Sequence, residues 1–152
     1  MTKRLRESRP AATRDAGTPA LPVMSPHLAE LAGRGLLRRY RKDTVLIEEG
    51  DRGDALYIIV SGRLRAFSSA ANGREITFGI YGPGEYLGEM SLDGGPRSAS
   101  VETVEASVCA VVTREALDRF IDERPAFAFE LLAKVIRRAR AATLSAKNLA
   151  LN

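Results

Sequence analysis

The segment from Gly84 to Val101 carries the side chains best suited to bind a small anionic molecule. Glu89 and Arg97 stand at the two ends of a short glycine-rich stretch, between apolar runs typical of strands. A carboxylate accepts hydrogen bonds from sugar hydroxyls, whereas a planar guanidinium engages two phosphate oxygens at once. With nearby backbone N–H groups, this pair suits a cyclic phosphate ester of a nucleoside. It suits a metal ion or an acyl group poorly.

The residues between these two charges predict a local anion site. Glu89 to Leu92 can form one helical turn, whose N-terminal N–H groups face an anion. We expect Glu89 and Arg97 to lie close enough to form an ion pair before ligand arrives. A charge-assisted bond is worth roughly 1.5–3 kcal/mol, so loss of Arg97 should cost more than tenfold in affinity. The alternative is an ion pair that only closes a loop.

Length and composition indicate one globular domain. The chain has 152 residues, of which 45% are hydrophobic and 28% are charged. No run approaches the roughly 18 apolar residues of a membrane span. Cys109 is the single cysteine, which excludes an intrachain disulfide, and its apolar surroundings predict a core position. These features predict a cytoplasmic protein with no membrane contact.

The positive charge is confined to the N-terminus. Residues 1–14 hold five basic side chains and one carboxylate, which accounts for the whole net charge of +4. Residues 1–25 lack an apolar period and are predicted to be a disordered basic tail. The tail is interpreted either as a solvated segment or as an arm that contacts DNA phosphates.

The remaining residues predict short strands followed by two helices. Ser25 and Pro26 can begin a helix that Gly33 and Gly35 end. Asn72-Gly73 is a hairpin signal. Many short strands with frequent turns favour an all-β roll or barrel. The predicted strands are Leu36–Arg41, Thr44–Glu48, Ala55–Val60, Arg63–Ser68, Glu75–Tyr81, Ala99–Val104 and Ala106–Val112.

The last helix carries a second pattern. Thr113 is a good N-cap for the first C-terminal helix, and Pro125 opens a longer one that runs towards Asn148. Apolar residues in the longer helix alternate at spacings of four and three, which defines an a/d seam. Either a parallel dimer or packing on the chain's own β-roll would bury it, and we predict a homodimer. The seam is Ala128, Leu132, Val135, Ala139, Ala142, Ala146 and Leu149.

Three motifs in register resemble the cyclic nucleotide-binding domain family. They are Val45 to Asp51, Asp54 to Gly62, and Gly-Glu-Met-Ser…Pro-Arg-Ser-Ala within 88–99. The family includes the sensor domains of the catabolite activator protein and of protein kinase A regulatory subunits. The resemblance covers about residues 26–150 and implies that 26–152 form one cyclic nucleotide-binding domain. It implies a mainly β fold: a jelly-roll-like β-roll of about eight strands, a short phosphate-cassette helix and a long C-terminal helix.

The resemblance also implies roles for the binding residues. Glu89 binds the ribose 2′-hydroxyl, and Gly88 lets the backbone approach the ribose. Arg97 pairs with the exocyclic phosphate oxygens, assisted by the Ser98 hydroxyl and the Ala99 N–H. In this family the C-terminal helix covers the base, often together with its copy in a dimer. The full predicted set is Gly88, Glu89, Met90, Ser91, Arg97, Ser98, Ala99 and Thr143.

Base selectivity depends on the last helix. By alignment with the catabolite activator protein, Ala142 replaces the first of two adjacent hydroxyl residues, and Thr143 retains the second. One base contact is therefore lost. Cyclic AMP is the predicted ligand, and cyclic GMP is the alternative because Ser98 could help to read guanine.

We therefore predict a receptor for cyclic AMP that is not an enzyme and has no catalytic cofactor. There is no nucleophile–base pair or metal-ligand cluster, and the sequence has one histidine. Ligand is expected to order the cassette and shift the last helix for an unidentified effector protein. The runner-up is a fragment of a Crp/Fnr-like transcriptional regulator that contacts DNA elsewhere or through the basic tail. The sequence ends at Asn152, where the family's transcription factors begin their helix-turn-helix domain, so this chain alone is not expected to bind nucleic acid.

Overall fold

The computed structural model describes residues 20–151, so most of the predicted basic tail lies outside the described residues. Within them, three helices flank eight strands and one short 3-10 turn. The helices are α1 (Pro26–Arg34), α2 (Arg114–Glu123) and α3 (Ala126–Leu151), and the 3-10 turn is Glu89–Ser91, termed the cassette turn. The strands are β1 (Leu36–Tyr40), β2 (Val45–Ile47), β3 (Leu56–Ser61), β4 (Leu64–Ser69), β5 (Glu75–Tyr81), β6 (Tyr86–Leu87), β7 (Ser100–Thr103) and β8 (Ser107–Val112).

The strands form two antiparallel four-stranded sheets, which confirms the predicted β-roll. Their orders are β1-β8-β3-β6 and β2-β7-β4-β5. β4 shows why the sequence folds this way, since Leu64 and Ala66 are buried while Arg65 between them is partly exposed. The additional strand β6 has only two residues, too few to give a period that sequence analysis could detect.

Two hydrophobic clusters lie on opposite faces of β3. Leu56 and Ile58 pack with Phe120 and Phe127 of the helices, whereas Ile59 packs inside the roll. A strand covered on both faces must be apolar throughout, which explains the unbroken run of residues in β3. Cys109 belongs to the inner cluster and is fully buried. The predicted core position of this cysteine is therefore confirmed, and burial raises the pKa of its thiol to about 12.

Side-chain caps fix the starts of α1 and α2. The Ser25 hydroxyl accepts a 3.1 Å bond from the Leu28 N–H, and the Thr113 hydroxyl accepts one of 3.1 Å from the Ala116 N–H. Both predicted caps are therefore confirmed. The helix α1 continues through Gly33, contrary to prediction, and Gly35 caps it. A Cβ at Gly35 would lie 3.0 Å from the Val111 carbonyl oxygen, so a glycine lets the chain pass close to the backbone of β8 at this position.

The long helix α3 contacts the roll only through its first half. Phe127 and Leu131 are buried against the roll, whereas every residue from 139 to 151 is exposed. The helix begins at Ala126 and ends at Leu151, close to the predicted bounds. Its second half therefore projects beyond the roll with Leu144 and Leu149 in solvent. None of the helices within residues 20–151 combines the length and the hydropathy needed to cross a membrane.

Candidate functional site

The cassette turn begins where the chain leaves β6 in a left-handed conformation. Gly88 has φ of 106°, in the left-handed region that favours glycine. A Cβ there would lie 2.6 Å from the Ala55 carbonyl oxygen and 3.1 Å from Nη1 of Arg97. Gly88 is thus required by its backbone conformation and by close packing of the chain on itself. The turn after it is a single 3-10 turn, at the position predicted for one helical turn.

Arg97 is held in place by backbone carbonyls. Its side chain donates from Nη1 to the Gly88 oxygen at 3.3 Å and from Nη2 to the Ala55 oxygen at 3.1 Å. Its own N–H donates to the Asp51 oxygen at 2.8 Å, which fixes the backbone. The residue is 7% exposed and forms no ion pair with a carboxylate in the part of the chain that the structure describes. A buried guanidinium without a counter-charge is suited to bind an anion.

Glu89 is paired with the last helix, so the predicted Glu89–Arg97 ion pair is wrong. Its carboxylate is fully buried, and Oε2 accepts a short hydrogen bond from Nη1 of Arg138. The other oxygen, Oε1, is buried and has no hydrogen-bond partner among residues 20–151. The physical reason is the direction of the two side chains. Glu89 extends to α3, while Arg97 turns back to the carbonyls of Gly88 and Ala55.

A cavity of about 310 Å³ opens between the cassette turn, β5 and α3. This is within the range of small-molecule sites. One wall is polar, with the Arg97 guanidinium, and the other is apolar. Predicted site residues that line it are Gly88, Met90, Ser91, Arg97, Ser98 and Ala99, and further lining residues include Ile47, Phe78, Tyr81, Leu87, Val101 and Arg138.

Two predicted residues do not line this cavity. Glu89 lies beside it, covered by its pairing with Arg138, which does line it. Thr143 is exposed and donates to the Ala139 carbonyl oxygen at 3.1 Å within its own helix. The structure therefore brings Thr143 into no contact with the cassette in one copy of the chain. Its role stays a prediction for an assembly with a second copy.

Sequence reasoning missed Arg138 as a functional residue. It reaches the cassette from α3, and its guanidinium lies 4.9 Å from the centre of the Tyr81 ring. The residue is separated from Glu89 by 49 positions. No local pattern in the sequence relates two residues that far apart. The adjacent pair Arg137-Arg138 gave no basis for choosing the one that turns inwards.

Lys134, one turn before Arg138, is a second basic residue at this junction. Its Nζ donates to the Tyr86 carbonyl oxygen and lies 3.3 Å from the centre of the Tyr86 ring. Burial, with a smaller contribution from the adjacent Arg138 charge, lowers the pKa of Lys134 to about 8. Keeping the Lys134 amine protonated in the folded protein therefore costs free energy.

Comparison with known proteins places the site in a family. The sequence matches the cyclic nucleotide-binding domain over residues 37–124. It is 38% identical over 130 residues to the cyclic AMP receptor protein of Thermus thermophilus, covering 84% of this chain and 60% of that protein. It is 40% identical over 93 residues to the CRP-like cAMP-activated global transcriptional regulator of Mycobacterium tuberculosis, covering 60% and 42%. The crystal structure of Thermus thermophilus catabolite activator protein is similar with a TM-score of 0.75 at 36% identity, covering 83% and 60%.

The chain therefore belongs to the cyclic nucleotide-binding domain family. The matched segment contains β2 to β8 and the whole cassette, which is more than half of the sequence. The chain spans about three fifths of the Thermus thermophilus relative and about two fifths of the Mycobacterium tuberculosis relative. The family assignment confirms the predicted resemblance.

The lowered pKa of Lys134 predicts a pH-dependent stability. Between about pH 8 and its ordinary value of 10.5, the unfolded chain binds the proton that the folded protein has released. The free energy of unfolding therefore rises with pH in this window. Urea denaturation from pH 7 to pH 10.5 should show that the free energy of unfolding rises more in wild type than in Lys134→Met. The gain should be on the order of 1 kcal/mol, since solvent partly screens the amine.

The control for this measurement is Lys147→Met, an exposed lysine in the projecting half of α3. Its difference from wild type should change little with pH. A Lys134→Met difference that is equally flat from pH 7 to pH 10.5 would show that the amine is fully solvated.

Proposed function

We propose that the chain is a receptor for a cyclic nucleotide, with cyclic AMP as the favoured ligand. The observation that carries the proposal is a pair of unsatisfied groups, one that lines the first cavity and one directly beside it. Arg97 offers a buried guanidinium without a carboxylate partner, and Glu89 offers a buried oxygen without a donor in residues 20–151. A cyclic nucleotide carries a phosphate for the first group and a ribose hydroxyl for the second.

The phosphate binds at the cation end of the cavity. Arg97 already donates to two carbonyls, which fixes its plane, and its remaining N–H groups can engage the exocyclic oxygens. Ser98 adds a hydroxyl donor, because it lines the cavity and is exposed. The Ala99 N–H is the third donor of the proposal. The cation is preorganised, so little side-chain entropy is lost on binding.

The ribose connects the ligand to the last helix. Its 2′-hydroxyl donates to Oε1 of Glu89, which supplies the missing partner of a buried acceptor. Oε2 stays with Arg138, which keeps the carboxylate in its orientation. Any shift of Glu89 on binding is therefore transmitted to α3. Such a shift of a pre-existing equilibrium is how the ligand signals to an effector.

The base lies against the apolar wall. Phe78 and Leu87 line the cavity, and Phe78 is 58% exposed in one copy of the chain. An aromatic face accepts either purine by stacking. Preference for adenine is supported by the similarity to the Thermus thermophilus relative, a cyclic AMP receptor protein. Cyclic GMP is the alternative ligand, because Thr143 is the single hydroxyl of α3 proposed to reach the base.

The proposal assigns no catalytic step to this chain. Among residues 20–151, no group of three or more His, Cys, Asp or Glu side chains is placed to hold a metal ion. The second candidate is a segment of a transcriptional regulator. Its support is the Mycobacterium tuberculosis relative, which is described as a global transcriptional regulator. Residues 1–14, the basic arm that would contact DNA under that hypothesis, lie outside the described residues.

We also propose that α3 forms a parallel homodimer. The a/d seam is exposed along the projecting half of the helix, where Ala139 and Ala142 permit close approach and Leu149 is 81% exposed. The roll does not cover this half, so the alternative of packing on the chain's own sheet applies only to Phe127, Leu131 and their neighbours. A second copy burying the seam would bring the partner helix close to the cavity.

Replacement of Arg97 tests the ligand proposal. Arg97→Gln should weaken cyclic AMP binding about 10- to 100-fold, because one charge-assisted contact to the phosphate is lost. Isothermal titration calorimetry with cyclic AMP and cyclic GMP measures this effect, and circular dichroism confirms that the fold is retained. Ser98→Ala, at an exposed position, should cost less than tenfold and cannot disturb the buried carbonyl contacts of Arg97.

The control for Arg97→Gln is Arg140→Gln, an exposed arginine of α3 outside the cavity. It should bind cyclic AMP as wild type does. If folded wild-type protein binds neither cyclic nucleotide at 1 mM, the proposed function is wrong.

A charge in the seam tests the dimer. Ala142→Glu places a carboxylate against its copy in a parallel dimer, so the dimer dissociation constant should rise at least tenfold. Asn148→Glu adds the same charge to the same exposed half of α3 but on the outer face of the helix, and should dimerise as wild type does. Sedimentation equilibrium measures both. A monomeric wild type at 100 μM, or equal effects of the two variants, contradicts the proposed interface.

A further inference from the structure

A second and larger cavity lies on the opposite flank of Arg138. Its volume is about 540 Å³, and it is bounded by α1, α3 and the turn between β5 and β6. Three aromatic side chains, Tyr81, Tyr86 and Phe127, are part of its wall. Its size and aromatic lining are those of a small-molecule site.

Two cations of this wall form no close ion pair. Lys134 and Arg137 line the cavity and form no ion pair with a carboxylate of residues 20–151. Lys134 is bonded to the Tyr86 carbonyl oxygen, and Arg137 is exposed. Burial is the main cause of the lowered pKa of Lys134, and the neighbouring carboxylates of Glu89 and Glu85 compensate for it only in part. An anionic group placed between Lys134 and Arg137 would add to that compensation.

Two carboxylates restrict the ligand further. Glu85 accepts a bond from the Gly82 N–H at 2.7 Å, and Glu130 accepts one from the Ser25 hydroxyl at 2.8 Å. Both line the cavity and retain an oxygen for a hydroxyl or amino donor. They would repel a simple inorganic anion. The wall therefore suits a ligand with one anionic group, an aromatic body and hydroxyl or amino groups.

We propose that this second cavity binds a small aromatic phosphate with hydroxyl donors, in the chemical class of a nucleoside monophosphate. Binding there lowers the affinity of the first cavity for its ligand, and Arg138 carries this effect. Lys134 and Arg137 hold the phosphate. Glu85 and Glu130 accept bonds from the hydroxyls, and the aromatic body packs on the Tyr81 and Tyr86 side of the wall.

The coupling follows from the position of Arg138, which lines both cavities. In the structure it donates to Glu89 from one nitrogen and to the Tyr86 oxygen at 3.5 Å from another. A phosphate in the second cavity competes with Glu89 for this guanidinium. Glu89 then loses the partner that orients it for the ribose. This coupling rests on the proposed function, whereas binding in the second cavity does not.

The second cavity stays open in the proposed dimer. Its lining residues on α3 include Glu130, Lys134, Arg137 and Ala141. None of these is an a/d residue of the seam. A second copy packed on the seam therefore leaves this face of the helix accessible to a ligand.

Direct binding is tested with adenosine 5′-monophosphate as the probe and adenosine as its uncharged counterpart. By isothermal titration calorimetry, the monophosphate should bind wild type at least tenfold more tightly than adenosine. Arg137→Gln should remove this preference, and Arg140→Gln, on the same helix but outside both cavities, should retain it. Arg97→Gln should also retain it, because Arg97 lines only the first cavity.

The opposite pattern overturns the proposal. Loss of monophosphate binding in Arg97→Gln with retention in Arg137→Gln would place the probe in the first cavity. Absence of binding to folded wild type at 10 mM would also overturn it. Neither result depends on whether cyclic AMP binds, so failure here is distinguishable from failure of the proposed function.

The coupling is tested by titrating cyclic AMP at increasing monophosphate concentrations. The apparent affinity for cyclic AMP should fall roughly 5- to 20-fold and then reach a plateau, as expected for two linked sites. Arg137→Gln should abolish this fall. A decrease that continues in proportion to monophosphate concentration indicates direct competition in one cavity and overturns the coupling. An unchanged affinity overturns it as well.

Discussion

The buried ion pair between Glu89 and Arg138 is the contact on which the arrangement of the site depends. A carboxylate with no solvent exposure is stable only with a charged or hydrogen-bonding partner, and Arg138 provides it from the last helix. This contact ties the cassette turn to α3 across 49 positions of sequence. Oε1 of Glu89 has no hydrogen-bond partner within residues 20–151, and a ribose hydroxyl can donate the missing hydrogen bond.

The β-roll makes this contact possible by fixing both ends. The antiparallel sheet positions Ala55 immediately before β3, where its carbonyl accepts a hydrogen bond from the Arg97 guanidinium and packs against Gly88. Phe127 and Leu131 anchor the first turns of α3 on the same sheet. Arg138 then lies at the last point where the helix touches the roll, since residues 139–151 are exposed. In the proposed function, a ligand at the cassette would therefore act on α3 at the point where its contact with the roll ends.

Local signals in the sequence predicted the elements and the cassette but not its connections. Alternating strands, the caps at Ser25 and Thr113, and the glycine-rich segment are patterns of adjacent residues, which a sequence displays directly. The partner of Glu89 is a long-range contact, and charge together with closeness in the sequence suggested Arg97 instead of Arg138. Thr143 was assigned from the family pattern, which includes a second copy that a single chain does not contain. The second cavity joins three distant segments and has no sequence signal.

The central claim is that the unpartnered oxygen of Glu89 receives the ribose 2′-hydroxyl. It is tested most directly by comparing the affinities for cyclic AMP and 2′-deoxy cyclic AMP in wild type and in Glu89→Gln. We expect wild type to prefer cyclic AMP by about 10- to 100-fold, the value of a charge-assisted bond. In Glu89→Gln, with the fold verified by circular dichroism, the preference should fall at least severalfold. An equal preference in both proteins would contradict this account, because the hydroxyl would then bind elsewhere.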